Sequence, residues 1–461
     1  MVSYWSIGMK IMPRFAKFCV LWLIGLQIHV LGVLTEFTHF DHQNMIDARA
    51  GGMGGTYIAL SDTLTGSYYN PAGLAFIDYK RTTESNNIYR ATKLTYTGAS
   101  DNFSDHELQQ SVEFAHSRNC KVYVTLNAFL HESDMVSLPE YVEFLAECKV
   151  DAVIVADLGV MSVVQERSEI PIHLSTQASC LNLESAKAWK DLGVKRIILG
   201  REVSIDQAAR IRKESGLEVE MFIHGAMCMA FSGNCTISNY TAGRDSNRGG
   251  CIQSCRFSYQ IQPDAQDSVP QQISSFMSSK DLNGLRLLPN FVEAGIDSIK
   301  IEGRMKSALY AATTVSVYSR GLRFLESEKP GVWEHTFSEL APELEKIPHR
   351  DYTEASLENA AEEQSIFYGN RDGRSQSGYE MAGRVLEVSG DKHFILEVQN
   401  PFQSGHELEV LEFSGSPVGV PVNKIKNLSG EELQQALPNR LVLLPFQQGI
   451  EAMNVVRRKT A

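Results

Sequence analysis

The sequence predicts an α/β fold: a (β/α)8 TIM-like barrel lacking its first βα unit, followed by a small C-terminal β-barrel domain. Three observations predict it. Short, nearly all-apolar strands alternate with helical stretches from residue 101 onward, the pattern of a parallel sheet covered on both faces. A polar residue stands at or near the end of successive strands, at Asn127, Asp157, Gln177, Glu202, His224, Asp281 and Arg304. In barrels that end of the strands forms the active-site face. Beyond residue 378, runs joined by turn residues replace the βα rhythm.

The start of the chain does not fit this pattern. Lys10, Arg14 and Lys17 precede the apolar run FCVLWLIGLQIHVLGVL, so residues 1–34 read as a signal-like segment without a small-residue cleavage site. Residues 48–76, ARAGGMGGTYIALSDTLTGSYYNPAGLAF, resemble the mature N-terminus of bacterial outer-membrane transport barrels. The glycines there make a poor phosphate loop, because no apolar strand leads into them. Residues 35–98 are therefore expected to be foreign to the fold. A fused or misassembled reading frame accounts for both anomalies.

The barrel is expected over residues 99–330. Ser104 and Glu107 form a capping box, with Leu108, Val112 and Ala115 on one helical face. Strands follow at 121–127, 151–157, 172–177, 196–202 and 219–225, with helices at 141–148, 184–192 and 204–215. Later strands are expected at 274–281 and 298–304, with a helix at 285–294 between them. These make seven strands, one short of a barrel. The chain then reads as helical to about residue 326, as a loop-rich connection over 331–377, and as a β domain over 378–461. Within that domain Ser389-Gly390-Asp391 is a hairpin signal.

A formal net charge of −12 argues against a generic nucleic-acid coat, although steering depends on where charges lie. Residues 244–324 hold ten Lys/Arg against seven Asp/Glu, a mildly basic region in an acidic chain. Four of the eight cysteines, Cys228, Cys235, Cys251 and Cys255, fall in one Gly-rich segment. Cys19, Cys120, Cys148 and Cys180 are scattered and read as buried free thiols. The spacing C-x6-C-x15-C-x3-C lacks the close pairs that zinc ribbons prefer. Iron–sulfur ligation tolerates wider spacing. Zinc, disulfides and free thiols remain open on the residues alone.

EMFIHGAMCMAFSGNCTIS (220–238) resembles the signature of the collagenase-like peptidase family U32, E-x-F-x-x-G-A-x-C-x-x-x-x-G-x-C-x-x-S, at every fixed position. IHLSTQAS, KRIILGREVS, MSSKDL, SIKIEGRMKS and HRDYTEASL resemble further blocks of that family, so the likeness covers roughly residues 100–461. It departs at the front, where only residues 94–98, LTYTG, echo the family's early strands. The resemblance implies a [4Fe-4S] cluster on Cys228, Cys235, Cys251 and Cys255. By architecture the chain looks closest to the branch associated with prephenate-dependent hydroxylation of a transfer-RNA wobble uridine to 5-hydroxyuridine. The expected partner is then the tRNA anticodon loop, and the expected location is the cytoplasm, against the signal-like start. No stable membrane partner is expected for the barrel.

Carrying that chemistry onto this chain, Lys300, Glu302 and Arg304 alternate along one strand face. A charged triplet there suggests a site, because burying unpaired charge is unfavourable. Glu302, His224 and Lys300 are the expected catalytic groups, with His224 or Glu302 moving protons. Arg304 and Lys280 would hold a carboxylate such as prephenate, or an RNA phosphate. Asp281, Gln177 and Asn127 complete the expected substrate face. The alternatives are a collagenase-like peptidase and an inactive truncated or fused family member. Neither an H-E-x-x-H helix nor a G-x-S-x-G elbow supports the peptidase.

Overall fold

The structure, a computed structural model, describes residues 4–8, 103–261, 272–274, 276–303, 306–327, 332–367, 377–390, 392–413 and 415–460. Apart from residues 4–8, the signal-like and outer-membrane-like segments lie outside the described residues, as does Arg304. Two compact units divide the chain. The first is Met1–Lys280, Phe291–Met305 and Glu354–Arg371; the second is Asp281–Asn290, Lys306–Thr353 and Asp372–Ala461. Among the described residues no helix is long and apolar enough to cross a membrane.

The first unit is an α/β layer structure. Strand β1 (Tyr4–Gly8) precedes helix α1 (Asp105–Ser117), which is capped as its sequence requires. The Ser104 N–H donates to Glu107 at 2.7 Å, the Glu107 N–H returns to the serine hydroxyl, and Leu108, Val112 and Ala115 are buried. Then come β2 (Tyr123–Leu126), α2 (Leu138–Glu147), β3 (Ala152–Val155), α3 (Leu158–Arg167) and β4 (Ile172–Leu174). They are followed by α4 (Leu183–Asp191), β5 (Arg196–Ile198), α5 (Ile205–Ser215) and β6 (Glu218–Ala226). A short helix α6 (Ile237–Ala242) lies in the cysteine segment, and β7 spans Ser298–Glu302.

In the sheet, β2, β3, β4, β5, β6 and β7 are consecutive parallel neighbours, and β1 pairs with the outer edge of β7. There β1 runs antiparallel, Tyr4 opposite Glu302 and Gly8 opposite Ser298.

Three local expectations change. Helix α3 was not anticipated; Asp157, expected as a strand-end site residue, caps it by accepting the Val160 N–H at 3.0 Å. The strand expected at 274–281 is interrupted: Gln272–Ser274 and Asp281–Asn283 are strands, with a turn at 276–277. Arg256 engages the Ser279 carbonyl and hydroxyl, both at 2.9 Å, holding that stretch as a loop. The connection expected to be loop-rich contains a twelve-residue helix, Trp333–Leu344, whose Leu340 and Leu344 are buried despite Pro342.

That helix and the eighteen-residue Ala308–Leu325 belong to the second unit. The unit also holds an antiparallel β domain. Its hairpin, Tyr379–Ser389 with His393–Val398, turns where the sequence signals it. Glu407–Leu411, Leu441–Pro445 and Val455–Lys459 extend the sheet around a core including Val385, Phe394, Leu396, Val442 and Val456. Arg457 is fully buried: it donates to Glu409 at 2.8 Å and pairs also with Glu343.

Candidate functional site

Successive side chains of a strand alternate between faces, and one face of the first unit's sheet carries a buried polar layer. The Lys300 ammonium on β7 donates to Glu220 on β6 at 2.8 Å, and each side chain is 1% exposed. Arg196 on β5 bonds the other Glu220 oxygen at 3.2 Å and reaches Glu218 at 2.7 Å. The His173 ring on β4 meets Tyr123 on β2 edge-on, with centroids 4.7 Å apart. Burial tends to raise the Glu220 carboxyl, but Lys300 and Arg196 outweigh it and hold the group at about 2. Burial lowers Lys300 and pushes Tyr123 up to about 12. His173 is driven down to about 3, first by burial and then by Arg196.

Beyond β6 the chain enters the cysteine segment. Gly225 adopts a φ of +108°, and a Cβ there would lie 2.3 Å from the Glu302 carbonyl oxygen. Only glycine allows this approach of β6 to β7. Arg201 anchors the segment's start, stacking on Phe222 at 3.8 Å and donating to the Ala226 carbonyl at 3.1 Å. Arg256 and the Ser279 hydroxyl both donate to the Met227 carbonyl, the latter at 3.0 Å. Gly233 (φ +85°) packs on Gln177 so closely that a Cβ would meet its side chain at 2.8 Å. Arg248 pairs with buried Asp134 at 2.7 Å, and Asn247 donates to the Cys235 carbonyl at 3.1 Å. The segment is thus fastened across the C-terminal ends of β2, β4 and β6.

This wrapping gathers the four thiols. Burial pushes Cys255 up, Arg256 pulls it down, and Cys228, Cys251 and Cys235 each raise it. Burial also raises Cys235; the Ile237 N–H opposes that rise, while Cys228 and Cys251 add to it. Cys255 thus feels the other three sulfurs and Cys235 feels Cys228 and Cys251, and none of the four is in a disulfide. Among the described residues no three thiol, imidazole or carboxylate groups converge as the ligands of one ion do. Four gathered thiols, with N–H and arginine donors beside them, fit the donor set of an iron–sulfur cluster, whose ligands stand further apart than those of zinc. Cys120, Cys148 and Cys180 are buried and free, while Cys19 is outside the described residues.

The other expected site residues separate into groups. Asn127 donates to Ser175 at 3.0 Å, and Ser175 donates to Gln177 at 3.2 Å, so these two strand ends are joined. Asn127 Oδ1 and Gln177 Nε2 are buried without a hydrogen-bond partner among the described residues. His224 is buried, and Glu302 is partly exposed. The β6–β7 register slips after Lys300, which sets His224 opposite Ile301 rather than Glu302. Lys280, half-buried, donates its backbone N–H to Ile366 at 2.8 Å. Asp281 belongs to the second unit, where Lys306 lies 3.7 Å and Arg350 3.5 Å from its carboxylate. Glu220, Arg196, His173, Arg201 and Arg256 were not singled out from sequence. Glu220 carried a signal, as the first fixed position of the signature; the arginines carried none, because their partners are backbone groups or distant in sequence.

The family model described as peptidase family U32 matches residues 87–366, and that of the peptidase family U32 C-terminal domain matches residues 377–457. The chain is 35% identical over 370 residues to tRNA hydroxylation protein P1 of Bacillus subtilis, spanning 78% of this chain and 86% of that one. It is 32% identical over 353 residues to a 23S rRNA 5-hydroxycytidine synthase of Escherichia coli, spanning 75% and 52% respectively. A collagenase of Porphyromonas gingivalis is 25% identical over 361 residues, spanning 71% of this chain and 86% of the other.

Proposed function

The chain belongs to peptidase family U32, and on that premise we propose that it hydroxylates a base of RNA, specifically a tRNA wobble uridine in the anticodon loop, to 5-hydroxyuridine. The observation that carries this reading is the fastening of the segment that bears Cys228, Cys235, Cys251 and Cys255 over the strand ends, through Arg201, Arg248, Asn247 and Gly233. These residues would hold a [4Fe-4S] cluster, which when bound supplies one-electron transfer. Relatives named for tRNA hydroxylation and for rRNA 5-hydroxycytidine synthesis support RNA as the substrate, and an RNA substrate implies a cytoplasmic reaction.

The chain's own residues take the following parts in this proposal. Asn127 and Gln177 offer one acceptor and one donor atom without a hydrogen-bond partner among the described residues, the complement of a pyrimidine's donor and acceptor edge. Glu302, partly exposed at the end of β7, moves the proton of the reacting base, with His224, buried on the neighbouring β6, as the alternative proton carrier. Lys300 acts through Glu220 as a positioning residue, fixing β7 against β6. Lys280, with Arg304, holds the carboxylate of prephenate as co-substrate or an RNA phosphate.

The test is nucleoside mass spectrometry of tRNA from a strain lacking the gene, complemented with wild type or with the Cys251→Ser, Cys255→Ser double variant. Iron and acid-labile sulfide are measured on the same proteins after anaerobic purification. Hydroxyuridine restored by wild type alone, with about four iron and four sulfide per chain lost in the variant, is the expected result. No hydroxylated base with either protein, together with gelatin hydrolysis by the wild type, would replace this reading with the peptidase.

A further inference from the structure

Aromatic rings are normally buried, and those left in water are informative when they cluster. In the first unit the exposed aromatics among the described residues are Phe129, Phe231, Tyr240, Phe257, Phe276 and Phe367. All six sit on the cysteine segment or on chain that it holds. Phe231 lies between Cys228 and Cys235, Tyr240 is on α6, and Phe257 follows Cys255 by two residues. The Phe129 N–H donates to the Asn247 carbonyl at 3.2 Å, and Arg248 donates to the Phe129 carbonyl. Phe276 meets Tyr259 edge-on at 6.0 Å. Phe367 is bridged to Ser279, which Arg256 holds. Tyr240 is the extreme case at 88% exposed, although its neighbour Thr241 is fixed to Ser254 at 2.6 Å. The ring is therefore displayed from an anchored backbone.

Charge narrows the partner. Residues 226–261 contain one acidic residue, Asp245, in a chain of net charge −12, and Arg248 of the segment neutralises the neighbouring Asp134. A rim of exposed aromatic faces on a segment nearly free of acidic side chains matches unpaired nucleotides, whose bases stack on rings while their phosphates meet little repulsion. A duplex hides the faces of its bases and matches it poorly. We propose that this rim is a stacking platform for the unpaired bases of a single-stranded RNA loop, seating the nucleotides that flank the one entering the site. The proposal rests on the RNA reading above and adds the residues that hold the loop.

The probes are a fluorescein-labelled RNA hairpin with an unpaired loop and a blunt duplex of matched length. Anisotropy titrations use the full chain purified anaerobically, as wild type, Tyr240→Leu, Tyr240→Trp and Phe231→Leu/Phe257→Leu. Leucine keeps apolar bulk without a π face, whereas tryptophan keeps the face. Each lost stacking contact should weaken hairpin binding by about five- to a hundredfold, with Tyr240→Trp near wild type and the duplex bound weakly by all. Unchanged iron content and circular dichroism confirm that the variants are folded. Wild-type affinity in both leucine variants overturns the platform, even where hydroxyuridine formation shows that RNA is the substrate. A shift in sedimentation with no loss of RNA affinity overturns it too, by making the rim a contact between copies of the chain. Absence of hydroxylated base with intact, ring-dependent hairpin binding would instead sink the proposed reaction and leave the platform standing.

Discussion

Replacing Glu220 by glutamine removes the charge from an anion that stands between two buried cations. Lys300 lies 2.8 Å from one carboxylate oxygen and Arg196 lies 3.2 Å from the other. Removing one partner of a buried pair costs about 3–5 kcal/mol, and here it also leaves two positive groups facing each other. Lys300→Met should cost less, about 1–3 kcal/mol, because Glu220 keeps Arg196. The pH dependence gives an independent route to the magnitude. Lys300 and Arg196, against the opposing effect of burial, hold Glu220 at about 2 from an ordinary value of 4.5. A carboxylate lowered on folding contributes stability that is present above its unfolded pKa and lost as pH falls through its folded one. The contribution should therefore be full above about 4.5 and fade toward about 2, with a gap of roughly 2.5 units worth about 3 kcal/mol. Urea unfolding followed by circular dichroism, near pH 7, 5 and 3, measures wild type and both variants. The wild-type advantage over Glu220→Gln should be about 3–5 kcal/mol at neutral pH and should shrink below pH 4.5. A penalty under about 1 kcal/mol at pH 7, the range of an exposed pair, or a gap unchanged at pH 3, would refute the reasoning.

His173 is held near 3 against an ordinary 6.5, so the unfolded chain takes up its proton first and stability falls as pH drops from 6.5 toward 3. His173→Phe, which keeps a ring beside Tyr123, should flatten that limb of the stability curve; an unchanged slope in the same titration contradicts this. Gly225→Ala should lose about 2 kcal/mol or more, because its Cβ would strike the Glu302 carbonyl oxygen at 2.3 Å. Gly405→Ala has a comparable φ of +92° but open space and should lose only about 1 kcal/mol; equal melting temperatures for the two would disprove the steric account. In the second unit, Arg457→Leu removes the buried cation between Glu409 and Glu343, which both keep Lys346, and should cost about 1–3 kcal/mol, read from the denaturation midpoint.

The βα rhythm was legible because strand and helix have different apolar periods, and because Ser104 and Ser204 carry capping signatures that the structure completes. Helix α3 was hidden because Leu158–Val164 is apolar but for Ser162 and reads on from the strand before it, while the polar stripe of Ser162, Gln165 and Glu166 is completed only in its second half. Trp333–Leu344 was obscured by Pro342, which discourages a helix assignment although the helix tolerates it. At the site, the cysteine spacing and the strand-end amides could be found from sequence, since each is a local pattern. The layer of Arg196, Glu220 and Lys300 could not, because it joins residues up to eighty positions apart and its logic is charge neutralisation across three strands. The register slip after Lys300 was equally invisible: alternation along one strand says nothing about which residue of its neighbour stands opposite.

The same division explains how the cysteine segment is held. No strand ladder crosses the part between Cys228 and Cys255; small helices, turns and side-chain bonds occupy it. Arg201, Arg248 and Arg256 tie it to the scaffold through backbone carbonyls, groups that every sequence offers and that no motif announces. One of them also answers an electrostatic problem, for neighbouring thiols raise the Cys255 thiol and resist its becoming the thiolate that ligation needs. Arg256, next to Cys255, acts in the opposite sense. On the proposed cluster reading, loading would add order to a segment held mainly by these side-chain bonds, whereas the Arg196–Glu220–Lys300 layer ties β5, β6 and β7 together by itself.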